Sequence, residues 1–235
     1  MAADFSHVAA NVARVRERIA RAAERAGRRA GDVTLVAVSK VFPAAAIRAA
    51  YEAGVRHFGE NRVQEWESKC GELDGLDATW HLVGHLQSNK ARRAAKLFHY
   101  VDSVDSLPLA RRLDVAAAEL ARTLRVLIEV KLDPEPAKSG ADPESLEWLA
   151  GSVLTLPHLD LQGLMAIPPF LDDPEQVRPY FRRLRGLRDD VARRLGRPLP
   201  VLSMGMTQDF EAAIEEGATE VRVGTAIFGT RGGSL

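Results

Sequence analysis

Lys40 follows the run Val33-Thr-Leu-Val-Ala-Val-Ser39, a short, β-branched and almost continuously apolar stretch. A lysine at the end of a strand buried on both faces is partly desolvated, which favours a neutral amine over an ammonium ion. A neutral amine attacks an aldehyde or ketone to form a Schiff base. The competing reading is a lysine that extends its charge to solvent. Two further clusters combine hydroxyls with glycines: Ser203, Gly205 and Thr207, then Gly224 and Thr225. Ahead of a helix, such residues leave backbone N–H groups pointing at an anion. They also serve as plain turn and cap residues. A reactive amine facing a phosphate cup suits a phosphorylated carbonyl compound, of which pyridoxal 5′-phosphate (PLP) is one and a sugar phosphate another.

Arg222 lies two residues before Gly224, so strand alternation sets both on one face. An arginine inside a fold needs a ligand or an ion pair, for which Glu220 and Glu60 are candidates. His81 and His85 are four apart, but they bracket a strand end and no third ligand has matching spacing, so no metal is expected. The chain has no Gly-x-Ser-x-Gly elbow and no P-loop, and Cys70 reads as structural or exposed. No residue is assigned a catalytic role.

These groups must be positioned by an alternation of strands and helices. Strand-like runs fall near Val33–Ser39, Val55–Phe58, Thr79–Val83, His99–Val101, Leu124–Val130, Leu161–Ala166, Pro200–Ser203 and Glu220–Val223. Helical stretches lie between them, near 43–53, 61–70, 88–97, 106–121, 142–156, 174–195 and 207–216. Repeated β-α units of this number and length predict an α/β fold, a single (β/α)8 barrel over 1–235, with a doubly wound open sheet as the alternative. An extra helix over residues 4–29 carries an apolar stripe (Val8, Val12, Val15, Ile19, Ala22, Ala26), and it is expected to pack on the barrel. Its arginines read as a solvated face with ion-pair partners. In a barrel the chemistry sits at the C-terminal strand ends, where Lys40, the two hydroxyl clusters and the Asp133-Pro-Glu-Pro loop all fall.

Composition excludes several classes. The 235 residues hold 32 basic and 32 acidic side chains, and zero net charge argues against a general nucleic-acid coat. A hydrophobic content of 46% suits a packed core. One cysteine rules out an internal disulfide framework and fits a reducing cytosol. No apolar run reaches a membrane span and no signal-peptide core precedes residue 30, so a cytoplasmic protein without membrane contact is expected.

Taken in order, several stretches resemble the pyridoxal phosphate homeostasis protein family. They are Ala37-Val-Ser-Lys40, Phe58-Gly-Glu-Asn61, Val63-Gln-Glu65, Trp80-His-Leu-Val-Gly-His-Leu-Gln-Ser-Asn-Lys90 and Lys138-Ser-Gly140. Gly163-Leu-Met-Ala-Ile-Pro168, Leu202-Ser-Met-Gly-Met206 and Val221-Arg-Val-Gly-Thr-Ala-Ile-Phe-Gly229 complete the set. The resemblance implies a single barrel of the alanine-racemase type (fold type III) without the racemases' second domain. It implies PLP held as a Schiff base on Lys40, phosphate contacts from Ser203, Gly224 and Thr225, and Arg222 beside the pyridine nitrogen. Asn61, His81 and Met165 match further pocket positions. The implied role is intracellular PLP homeostasis by storage, control or delivery, without turnover. The partners are PLP and apo-enzymes as recipients, and the expected state is a monomer. The alternatives are a PLP-dependent racemase and, from the bare barrel, a Schiff-base aldolase. The stretch Lys131-Leu-Asp-Pro-Glu-Pro-Ala departs from the family's usual Asn-x-Ser/Thr-Gly-Glu pattern.

Overall fold

The short apolar runs pair with one another rather than with solvent, and the last closes on the first. The computed structural model describes residues 5–132 and 139–230. The strands are β1 (Thr34–Val38), β2 (His57–Glu60), β3 (Thr79–Leu82), β4 (Tyr100–Val104), β5 (Leu124–Glu129), β6 (Leu159–Met165), β7 (Val201–Ser203) and β8 (Glu220–Val223). All neighbouring pairs are parallel, and β1 pairs with both β2 and β8. This closure excludes the open doubly wound sheet. The helices are α1 (His7–Arg25), α2 (Ala44–Glu52), α3 (Val63–Glu67), α4 (Ala91–Leu97), α5 (Leu107–Glu119), α6 (Leu146–Leu154), α7 (Pro174–Leu195), α8 (Phe210–Glu215) and α9 (Thr225–Phe228). Asp133-Pro-Glu-Pro and Lys138 lie outside the described residues.

Helix α1 buries Val8, Val12, Val15, Ile19 and Ala22 against α2, α8 and α9. Two of its arginines pair with α8, Arg18 with Glu211 at 2.8 Å and Arg25 with Glu215 at 2.7 Å, while Arg16 donates to the Ala53 and Gly54 carbonyls. Helix α7 starts on the Asp173 carboxylate, which accepts the Glu175 N–H, and stops at Gly196 in the left-handed conformation.

Of the boundaries that differ from the periodicity, two bear on the site. The second strand runs His57–Glu60 rather than Val55–Phe58, because the ladder pairs Val36 with His57 through Val38 with Gly59. Gly59 and Glu60 are poor strand formers taken singly, but here tertiary pairing overrides propensity. The helix expected over 61–70 is shorter, ending at Glu67, with a separate 3-10 turn at Cys70–Leu73. The Ser68 hydroxyl donates to Glu65 O at 2.8 Å, and Lys69 turns inward.

Strand β6 carries a bulge: Val126 pairs with Leu161, but Leu127 pairs with Gly163, so Gln162 is the extra residue. On its other side Gly163 lies against β7, where a Cβ would fall 1.8 Å from Val201 O. No rotamer relieves a clash with a backbone carbonyl. Gly163→Ala is therefore expected to cost about 3 kcal/mol, read as a lowered urea midpoint at constant slope. A cost below about 0.5 kcal/mol would contradict this packing.

Candidate functional site

A cavity of about 760 Å³ opens at the C-terminal strand ends. Lys40, Asn61, Arg222, Gly224 and Thr225 all line it. They come from the exits of β1, β2 and β8, segments far apart in sequence that the barrel closure brings together. Its size is in the range of small-molecule and cofactor sites. Val38, Val83 and Met206 give it apolar walls, Glu129 and Thr207 to Asp209 add polar ones, and Pro169, Phe170 and Leu171 form part of the lining.

Each wall has a local cause. Asn61 is set by Gly84, where a Cβ would lie 2.3 Å from Asn61 O, so only glycine lets the β3 exit approach. The loop after β7 turns at Gly205, with φ at +94°, and a Cβ there would meet Ala213 Cβ at 2.6 Å. The Met206 N–H donates to the Asp209 carboxylate at 2.6 Å, and the Ala226 N–H reaches Thr207 Oγ1 at 3.4 Å. The N–H groups of Thr207, Gln208, Gly224 and Thr225 have no acceptor among the described residues. Four uncommitted donors on two adjoining loops are a set that could hold an anion.

Arg222 forms the floor. It is 4% exposed. Its guanidinium donates to Ser203 Oγ at 2.6 Å and to Ala166 O at 2.9 Å. Among the described residues no carboxylate reaches ion-pair distance of it, and Glu60 instead pairs with Lys69 at 2.8 Å. Burial pushes the guanidinium below its ordinary value, while Glu220, Asp102, Glu129 and Asp209 pull it back. Ser203 is fully buried and does not line the cavity; its hydroxyl accepts from Arg222.

His81 and Met165 also lie outside the lining, in the barrel interior. Met165 is in register with Glu129 on one side and Ser203 on the other. His81 Nδ1 is 3.1 Å from Asp102 Oδ2, and its Nε2 is 3.0 Å from His57 Nδ1, one ring donating to the other. Its ring stacks on Tyr100 at 4.4 Å. Burial lowers the His81 pKa and pushes Asp102 up to about 8 and Glu129 up to about 7. His85 turns instead to the cavity lining, with Nδ1 3.4 Å from Asp105, so the two histidines do not converge on one ion.

Several contributors carry no sequence signal of their own. Glu129 sits inside an apolar strand and lines the cavity with Oε2 unpartnered. Lys69 and Glu65, four apart, look like a surface helix pair, yet Lys69 is buried.

Comparison with known proteins places the chain among relatives of one architecture. Residues 10–232 match the family described as alanine racemase, N-terminal domain. The pyridoxal phosphate homeostasis protein of Pseudomonas aeruginosa is 48% identical over 226 residues, which cover 96% of each chain. PipY of Synechococcus elongatus, solved without PLP, superposes with a TM-score of 0.86 at 43% identity, covering 94% of this chain and all of that one. The same protein solved with PLP bound gives 0.81 at 44% identity, over 90% of this chain and all of that one.

The interior acids make stability depend on pH. Asp102 and Glu129 bind protons more tightly folded than unfolded, so their stabilising contribution is complete below about pH 4. It is lost as pH rises through about 7 and about 8. Asp102→Asn and Glu129→Gln should each flatten the decline of the urea midpoint across this window. Two variants with the wild-type slope would show that these carboxyls titrate normally.

Proposed function

Because the chain belongs to the pyridoxal phosphate homeostasis protein family, we propose that it binds PLP in the cavity at the C-terminal strand ends and controls, stores or hands on that cofactor, with Lys40 as the covalent anchor. One observation carries the reading: among the described residues a single amine, a single guanidinium and four uncommitted N–H groups border one cavity. The donor set suits the group. Two loops of N–H donors match a phosphate dianion, and an amine on the neighbouring β1 exit matches an aldehyde.

When bound, PLP supplies an aldehyde that condenses reversibly with an amine, and a ring that withdraws electrons. Everything else is the work of this chain. Lys40 presents its amine from the exit of β1. Gly224 and Thr225, with Thr207 and Gln208, hold the phosphate, and Asn61 borders the ring. Arg222, locked by Ser203 and Ala166 O, keeps a proton off a ring nitrogen placed beside it, since two cations repel. A ring left unprotonated stabilises a carbanion poorly, which suits holding the cofactor rather than transforming amino acids. His81 and Met165 act from the barrel interior, His81 by bracing Asp102 and Met165 by packing beside Ser203. Recipients are apo-enzymes that require PLP, and the chain works as a monomer. No helix of the described residues is long and apolar enough to cross a membrane.

Mixing the purified protein with PLP should produce a visible absorption band that Lys40→Ala abolishes. Pyridoxal without its phosphate should bind at least tenfold more weakly, because it leaves the cup unfilled. A protein that stays colourless with excess PLP, or a Lys40→Ala variant with an undiminished band, would overturn the reading.

A further inference from the structure

Lys69 is 7% exposed, and its ammonium faces four oxygens. They are Glu60 Oε1 at 2.8 Å, Phe42 O at 3.0 Å, Ser39 O at 3.1 Å and Glu65 Oε1 at 3.4 Å. The two carbonyls bracket Lys40 and Val41. The two carboxylates hold the same turn from other points. The Ser39 hydroxyl donates to Glu60 Oε1 at 2.6 Å, and the Val41 N–H donates to Glu65 Oε1. The turn itself closes with the Phe42 N–H on Ser39 O at 3.1 Å.

That turn is strained. Val41, its third residue, has φ at +64°. Positive φ at the third position is the mark of a type II turn, where glycine or asparagine is usual. A β-branched residue there is an outlier, and such a conformation persists only when its surroundings impose it. Apolar packing does not impose it, because Val41 is 57% exposed. The polar contacts from Lys69 and Glu65 are what hold it. Stability does not explain a buried lysine here either. A buried ion pair stabilises little compared with an apolar residue of similar size. What the lysine supplies is a compact charge with three donors, suited to several oxygens around one point.

We propose that Lys69 is a positioning residue: with Glu60 and Glu65 it clamps the Ser39–Phe42 turn in its strained form and thereby sets the direction from which Lys40 meets a carbonyl in the cavity. The proposal rests on the reading of Lys40 as the anchor. A displacement of the order of 1 Å at a reacting group costs up to about a hundredfold in rate, so a turn allowed to relax should slow Lys40 without emptying the cavity.

The test separates capture from binding. Growth of the visible band with PLP reports covalent capture. Quenching of tryptophan fluorescence by 4-deoxypyridoxine 5′-phosphate, which has no aldehyde, reports occupancy of the cavity alone. Lys69→Met should slow capture by roughly ten- to hundredfold and change the affinity for the aldehyde-free analogue less than about twofold. Glu65→Gln, a milder change at a partly exposed side chain, should slow capture in the same sense by less. Adding Val41→Gly to Lys69→Met should restore most of the lost rate, because glycine holds positive φ without a clamp. Capture by Lys69→Met at the wild-type rate would overturn the proposal, as would an equal loss of capture and analogue affinity or a failure of Val41→Gly to rescue. Lys40→Ala serves as the control. An undiminished band in that variant would instead remove the anchor reading, whatever the Lys69 variants do.

Discussion

A guanidinium sealed inside a closed parallel barrel is the constraint around which the rest of this molecule is arranged. Burying a cation without a partner is costly, and an adjacent ionised carboxylate would be the simple answer. Arg222 has none at ion-pair distance among the described residues. It is held by a hydroxyl and a backbone carbonyl, and Glu220, Asp102, Glu129 and Asp209 attract it from further off. The acids around it cannot all ionise in so little water. Burial leaves Asp102 and Glu129 with pKa values near or above neutrality, so their protons balance the interior charge. Arg222 thus belongs both to the barrel interior and to the cavity floor. Ser203 fixes its position, and the His57–His81–Asp102 line supports the layer below.

The neighbouring β1 wall is built on a different principle. The exit of β1 is not rigid by virtue of its own backbone, since Val41 occupies a conformation that valine disfavours. Its geometry is imposed from the end of β2, from α3 and from the segment after it, through Glu60, Glu65 and Lys69. The barrel contributes by bringing the ends of β1 and β2 side by side, so that Glu60 faces Ser39 and Lys69 reaches both. A regular scaffold and a strained turn share the work of presenting one amine.

Much of this was readable from residues alone. The run Val33–Ser39 looked like a strand buried on both faces, and β1 covers Thr34–Val38. Glu220–Val223 forms β8 over the bounds expected. Alternation placed Arg222 on the same face as Gly224, and both line the cavity. What escaped the sequence depends on contacts between distant segments. The second strand lies two residues later than its apolar run because pairing with β1 carries Gly59 and Glu60 into the ladder. The position of Ser203, beneath the guanidinium rather than in the cavity wall, follows from Arg222 reaching back to it. Lys69 was invisible because its spacing from Glu65 reads as a solvent-exposed helical pair. Only the fold shows that its ammonium points inward.

The central claim is that one amine, Lys40, meets the cofactor in the cavity whose floor is Arg222. Borohydride reduction of the PLP-loaded protein, followed by proteolysis and mass mapping, tests it directly. The account predicts a single reduced pyridoxyl adduct on the peptide that carries Lys40 at stoichiometric PLP. An adduct concentrated on another lysine, or spread evenly over several, would contradict it.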